Sequence, residues 1–389
     1  MEQKIQDLLE RGVVNIIPEK KGLLDLLKSG KKLNVYFGID PTATKIHIGN
    51  AVSIRKLQKF VELGHNVTFL IGDFTALIGD TSDKDKERPI LSYEEILNNF
   101  KTYKSQAQKL LDFSKVKVVH NSQWLKKLKF QDIVKLCQNF SVGDFVNREL
   151  IKKRLENGKR VGLHETLYPV MQGYDSYHLD TDVQIGGADQ TFNMQAGRTL
   201  LKNLSNKESF VLVTEYLEGT DGRKMSKSWG NAIWLTDGPD DMFGKIMSIR
   251  DELIIKYFIL ATKLPLNEIE NYKKELNTGK NPMKIKLILA KQIVSELHDA
   301  NSANNAYENF KKTFQENTPD YSETINLEKG DTVLIAVSKV CGSKSEAKRL
   351  ISQKAVDVNE RTIDDINTKI SNNDKIKIGK RKFLTAKII

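Results

Sequence analysis

Two short stretches carry residues that could do chemistry together. In YFGIDPTATKIHIGN, Tyr36 to Asn50, Asp40 and Pro41 end an apolar run, and Thr42 and Thr44 can cap the turn that follows. His47, Gly49 and Asn50 then fall where a helix should begin. A helix N-terminus presents unpaired N–H groups and a partial positive charge, which suits a phosphate. Gly49 leaves room for a nucleotide to approach the backbone, and His47 and Asn50 can each donate a hydrogen bond to a phosphate oxygen. A tight turn capped by His47 accounts for the same residues without a ligand. In GTDGRKMSKSWGN, Gly219 to Asn231, Lys224 and Lys227 flank a Met-Ser pair, with Arg223 beside them. Paired lysines on a loop are what triphosphate transfer needs, because they put positive charge where pyrophosphate departs. A solvated basic loop is the alternative. Taken together, the two stretches specify a phosphate-handling site more sharply than either does alone.

The elements that must position these residues show as alternating patterns. LNVYFGI, NVTFLIGD, KVKVVH, DVQIGG and SFVLVTEYL read as strands bounded by Gly, Asp or Asn. Segments between them, such as AVSIRKLQKFVELG, have apolar residues at helical spacing and stop at glycine. The alternation predicts an α/β fold, a Rossmann-like doubly wound parallel sheet whose ligands lie beyond the carboxyl ends of the strands. From Pro239 to about Phe314 helical signals take over, and the polar stretch around Pro319 reads as a linker. TVLIAVSKVCGSKSEAKRLISQKAVDVN then reads as two short helices followed by strands. The expected domains are a catalytic domain over 1–235, an α-helical domain over 236–325 and a small α+β domain over 326–389.

Bulk properties narrow the partners. The 389 residues carry a net charge of +11, and the stretch from Asp331 onward holds 13 Lys and Arg against 7 Asp and Glu. An anionic partner is expected there, and the tail is a candidate nucleic-acid module. Cys137 and Cys341 form no CxxC pair, which argues against a disulfide framework and a cysteine-based zinc site. No apolar run approaches a membrane span, and MEQKIQDLLERG lacks the apolar core of a signal peptide. The expectation is a soluble cytoplasmic protein with no membrane contact.

HIGN followed by KMSKS resembles the paired signatures of class I aminoacyl-tRNA synthetases, in order and in separation. YFGIDPTATKIHIGN, the YPVMQGYD of Tyr168 to Asp175 and the QIGGADQ of Gln184 to Gln190 resemble the tyrosyl-tRNA synthetases of bacterial type, and the likeness covers nearly the whole chain. Asn50 stands where the first signature usually carries a second histidine. Both side chains donate a hydrogen bond, so the role is expected to persist.

The resemblance implies a tyrosine pocket in which Asp175 and Tyr36 meet the phenol, while Asp80, Tyr168, Gln172 and Gln190 hold the rest of the amino acid. Tyr168, Gln172 and Asp175 stand at i, i+4 and i+7, so on a helix they share a face; a solvent-exposed polar face fits that spacing equally. Gly38, Asp40, Gly49, Gly187, Asp189 and Lys227 are implied as ATP or adenylate contacts. The segment DTSDKDKER resembles the family loop that brings Lys84 and Arg88 to the leaving pyrophosphate, although it also reads as a solvated charged loop.

By the same resemblance the tyrosine carboxylate attacks the α-phosphorus of ATP. Thr42 and His47 act on the γ-phosphate from one side, and Lys224 and Lys227 from the other. Mg²⁺ is expected with the nucleotide and no protein metal site is expected. The adenylate then passes its tyrosyl group to tRNA(Tyr). The tail resembles an S4-type module presenting Lys344, Lys348, Arg349 and Lys354 to RNA phosphates, and the helical domain before it is expected at the anticodon. The family works as a homodimer, for which an apolar patch between about Ile90 and Phe145 is the expected interface. The competing readings are a tryptophanyl-tRNA synthetase and a catalytically inactive RNA-binding relative.

Overall fold

The computed structural model describes residues 2–41, 44–79, 92–226, 229–314, 321, 323–379 and 382–389. Thr42, Asp80, Lys84, Arg88 and Lys227 lie outside the described residues. The chain forms two compact units, residues 1–236 with 249–281, and residues 237–248 with 282–389.

Among the described residues the first unit holds a six-stranded sheet in the order β1-β6-β5-β2-β3-β4. Its strands are β1 (Val13–Ile17), β2 (Asn34–Ile39), β3 (Asn66–Ile71), β4 (Val116–His120), β5 (Val183–Gly187) and β6 (Phe210–Thr214). All neighbours are parallel except β1, which runs antiparallel to β6 at one edge. The predicted strand stretches are therefore β2 to β6, and β1 is an addition. The inner strands read as nearly unbroken apolar runs because helices cover both faces: Val35, Tyr36 and Phe37 of β2 are all buried, as are Phe69, Leu70 and Ile71 of β3. From β2 the chain winds outward to β3 and β4, then returns to build β5 and β6 on the other side. The reversal falls between β2 and β5, which is where an open parallel sheet leaves a crevice for a ligand.

Four helices position the site residues. Helix α1 (Ile48–Glu62) follows β2, α2 (Glu149–Glu156) leads into α3 (Leu163–His178), and α4 (Thr191–Ser205) follows β5. Helix α3 starts six residues before Pro169, so this proline lies buried inside the helix and not at its start.

The structure divides the chain differently from the sequence reading at 235/236. The helices Ile254–Ala261 and Leu266–Asn277 belong to the first unit, although they follow the helix Pro239–Met247 of the second. The reason is tertiary. The Tyr257 hydroxyl donates to the Glu218 carbonyl at 2.7 Å, and Arg11 Nη2 donates to the Leu264 carbonyl at 2.7 Å. In the second unit, Phe243 of Pro239–Met247 packs against Tyr307 and Phe310 of the helix Ala300–Phe314. The tail forms two helices, Val333–Cys341 and Lys344–Ser352, over a small sheet, with Val337, Ala347, Ile351, Val356 and Ile376 in a common core.

Candidate active site

The carboxyl ends of β2, β3 and β4 and the inner face of α3 are joined by one hydrogen-bond chain. Tyr168 Oη donates to Asp40 Oδ2 at 2.8 Å, and Thr75 Oγ1 donates to Asp40 Oδ1 at 2.8 Å. Asn121 Nδ2 donates to Thr75 Oγ1 and to Asp175 Oδ2, each at 3.1 Å. Trp124 Nε1 completes the chain by donating to Asp175 Oδ1 at 2.7 Å. Asp40 reaches across the end of β3 because Gly72 stands there: a Cβ on that residue would lie 1.9 Å from Asp40 Oδ1. The polar face of α3 is thus turned inward, and the solvent-exposed alternative does not hold for Tyr168 and Asp175, which are both buried. Gln172, between them on the helix, is half-buried.

Tyr36 and Asp175 are both almost fully buried, at 1% and 2% exposure. Burial pushes the Asp175 carboxyl up to about 8; hydrogen bonds from Trp124 and Asn121 oppose the shift, while Asp40 and Asp73 add to it. Burial and the nearby Asp175 likewise raise Tyr36 well above the usual phenol range. The Tyr36 hydroxyl shares a hydrogen bond of 2.8 Å with Ser176 Oγ, and Ser176 in turn donates to Gln184 Oε1 at 3.1 Å. An uncharged acid and an uncharged phenol therefore stand among the apolar side chains of Leu70, Trp124 and Leu125.

The two signature stretches come together at His47 and Lys224. His47 is the N-cap of α1, its Nδ1 accepting from the Asn50 N–H at 3.2 Å. The capping reading therefore holds, and it leaves Nε2 as the nitrogen that carries the proton of the neutral ring. Burial, with the Lys224 charge second, holds His47 down at about 4, so the ring is uncharged near neutral pH. Lys224 Nζ lies 3.5 Å from Asp189 Oδ2, in the turn after β5. Gln190 Nε2 donates to Asp189 Oδ2 at 3.4 Å, and Asn193 Nδ2 donates to Gln190 Oε1 at 3.1 Å. Gly38 and Gly187 lie near the carboxyl ends of β2 and β5, on either side of the crevice, and Gly49 and Asn50 fall in the first turn of α1. Among the described residues no group of three His, Cys, Asp or Glu side chains is arranged to hold a metal, and no helix is long and apolar enough to cross a membrane.

Sequence reasoning missed Thr75, Asn121, Trp124, Ser176 and Gln184. The signal for Asn121 and Trp124 was their place just past the strand KVKVVH, at the carboxyl end where ligand residues gather. In the tail, Lys344, Lys348, Arg349 and Lys354 are exposed while Ala347 and Ile351 are buried. Arg349 is engaged on its own helix, donating through Nε to Glu346 Oε2 at 2.8 Å and through Nη1 to Gln353 Oε1 at 2.9 Å.

Residues 28–315 match the family model described as tRNA synthetases class I (W and Y), and residues 331–376 match the S4 domain. A tyrosine–tRNA ligase of Carboxydothermus hydrogenoformans is 44% identical, covering 97% of this chain and 96% of its own. One of Haemophilus influenzae is 42% identical over 98% of this chain and 96% of its own. In fold, the chain is similar to a C-terminally truncated mitochondrial tyrosyl-tRNA synthetase of Aspergillus nidulans, with a TM-score of 0.66 at 23% identity over 80% of this chain and 94% of that one. At this identity and coverage, the chain belongs to the tyrosine–tRNA ligases of the class I synthetase family.

Proposed function

We propose that this chain activates L-tyrosine with ATP and transfers the tyrosyl group to tRNA(Tyr), with the residues above in the following roles. The observation that carries the reading is the buried Asp175 carboxyl, reached by two protein donors and beside the Tyr36 hydroxyl. Asp175 accepts from the substrate phenol and the Tyr36 hydroxyl donates to it, so both needs of that group are met. Phenylalanine leaves both unpaired, and tryptophan does not present a hydroxyl. Tyr168, Gln172, Asp80 and Gln190 hold the amino-acid end.

The tyrosine carboxylate is the nucleophile, so the protein contributes positioning and charge. His47, through Nε2–H, and Thr42 bind the outer phosphates from the α1 side. Lys224, Lys227, Lys84 and Arg88 neutralise pyrophosphate as it leaves. Asn50 donates where the family's first signature has its second histidine, and the glycines Gly38, Gly49 and Gly187 let the nucleotide lie against the backbone near Asp40 and Asp189. Mg²⁺ enters with the nucleotide, on its phosphate oxygens.

The exposed lysines Lys344, Lys348 and Lys354, with Arg349, contact tRNA phosphates, and the helices of 282–314 serve the anticodon end. The working form is a homodimer in the cytoplasm. Exposed Phe130, Val134, Val142 and Leu155 all lie in the segment between β4 and α3, and they support an interface there; the two free thiols suit a reducing compartment.

Pyrophosphate exchange into ATP with tyrosine, phenylalanine or tryptophan tests the chemistry. Exchange with tyrosine alone is expected, and exchange with none of the three overturns it. Replacing Lys344, Lys348 and Lys354 together by Ala should leave exchange intact while tRNA charging weakens and loses salt dependence. Sedimentation of the wild type and of Phe130→Asp decides the dimer.

A further inference from the structure

The lysine loop has an internal support that none of these roles uses. Asn231 closes the stretch Gly219 to Asn231 and is buried at 2% exposure. Its Oδ1 accepts from the Ser226 N–H at 2.9 Å, and its Nδ2 donates to the Lys224 carbonyl at 3.2 Å, so one carboxamide holds the backbone on both sides of Met225. The same Nδ2 donates to Asp221 Oδ1 at 2.8 Å. Asp221 in turn accepts from the backbone N–H and the guanidinium of Arg223. The Asn231 carbonyl accepts from the Thr220 N–H at 3.0 Å, tying the end of the stretch back to its beginning.

Gly219 makes the space for this amide, since a Cβ there would lie 2.4 Å from Asn231 Cγ. Backbone pairing beside Lys224 is confined to an isolated bridge with Glu218, in which the Gly219 N–H donates to the Arg223 carbonyl at 2.7 Å and the Met225 N–H to the Leu217 carbonyl at 3.2 Å. That pairing ends at Met225, so the carboxamide is what ties the Lys224 carbonyl to the Ser226 N–H beyond it, next to the side chain that reaches toward Asp189 and His47.

We propose that Asn231 is a positioning residue for adenylate formation, acting through Lys224. The inference rests on the role given to Lys224 above. It is distinct from a general contribution to folding, because the carboxamide bonds the backbone at Lys224 itself and at Ser226, on the two sides of Met225. A misplacement of about 1 Å at a group that stabilises departing charge costs about 10²-fold in rate.

The test is a double-mutant cycle in the full-length protein, using Asn231→Ala, Lys224→Ala and the two combined. Two readouts are compared, the kcat of tyrosine-dependent pyrophosphate exchange and tyrosine affinity by equilibrium dialysis. Asn231→Ala is expected to lower kcat by about 10²-fold with tyrosine affinity unchanged. The combined variant is expected to be no slower than Lys224→Ala alone, since contacts that act as a unit are not additive. Gly219→Ala, which displaces the same amide by another route, should reproduce the loss. A combined variant slowed by the product of the single effects overturns the proposal, as does a loss of tyrosine affinity matching the loss of rate. If Lys224→Ala exchanges at the wild-type rate, the role of Lys224 falls and this inference with it. If only Lys224→Ala is slow, the inference alone falls.

Discussion

Asp175→Asn probes the phenol site at its most constrained point. The native carboxyl accepts at both oxygens, Oδ1 from Trp124 Nε1 and Oδ2 from Asn121 Nδ2. A carboxamide has one oxygen, so in either orientation its NH₂ faces an N–H donor in a site that is 2% exposed. An unsatisfied buried donor costs about 1–3 kcal/mol, and the variant should lose stability by that order. The substrate effect is separate and depends on pH. With the carboxyl at about 8, only about one molecule in ten is ionised at pH 7, and each unit of pH below 8 withholds about 1.4 kcal/mol from a phenol-to-carboxylate bond. The ratio of wild-type to Asp175→Asn kcat/KM for tyrosine should therefore climb as pH rises from 6.5 and level off above 8.

In the substrate-free protein the sign reverses. A carboxyl raised above its unfolded value contributes stability that is full below about 4 and lost as pH rises through about 8, a slope that the Asn variant lacks. The exchanged pair Asp175→Asn with Asn121→Asp restores an acceptor opposite the new NH₂, and the Phe74 N–H, which donates to Asn121 Oδ1, keeps its partner. Thermal melts should recover while preference for tyrosine over phenylalanine stays low. A single variant that matches wild-type kcat/KM across this pH range, or an exchanged pair that regains the preference, would refute the assignment of Asp175 to the phenol.

Two further outcomes follow from charges placed elsewhere. His47, held at about 4 by burial and Lys224, should titrate by NMR well below the ordinary range and move upward in Lys224→Ala; an unmoved midpoint would mean that the two signatures do not meet. As a depressed histidine, it contributes stability that is lost as pH falls through about 4. Arg154 and Glu165 form a buried pair at 2.6 Å between α2 and the first turn of α3, one turn from Tyr168. Arg154→Met should cost about 3–5 kcal/mol in urea unfolding, and adding Glu165→Leu should restore much of it, because an unpaired buried charge is worse than none. Equal stability of the single and double variants would refute this.

The legible parts of the molecule were those that obey one local rule. The inner strands announce themselves because both their faces are covered, and that same continuity of apolar residues marks where they end, at Asp40 and at Gly187. The exposed cations and buried Ala347 and Ile351 of the tail helix follow from helical spacing alone. What stayed hidden depends on meetings between distant segments. Helices 254–277 look like any others in sequence, yet Tyr257 and the carbonyl of Leu264 bind them to the sheet unit. Edge strand β1, VVNII, is half polar in surroundings and pairs only on one side, so its pattern is weak.

The site divides along the same line, which explains why its acids were easier to find than their partners. Asp40, Asp175 and Asp189 stand out as charges at strand ends or on an apolar helix. Thr75, Asn121 and Trp124 carry no charge and follow no period, and they matter only because β2, β3, β4 and α3 bring each of them within 3.1 Å of Asp40 or Asp175. Burial makes an isolated carboxyl costly, so Asp175 can persist at 2% exposure only with such partners. The uncharged residues behind the acids determine whether an acid can exist there at all.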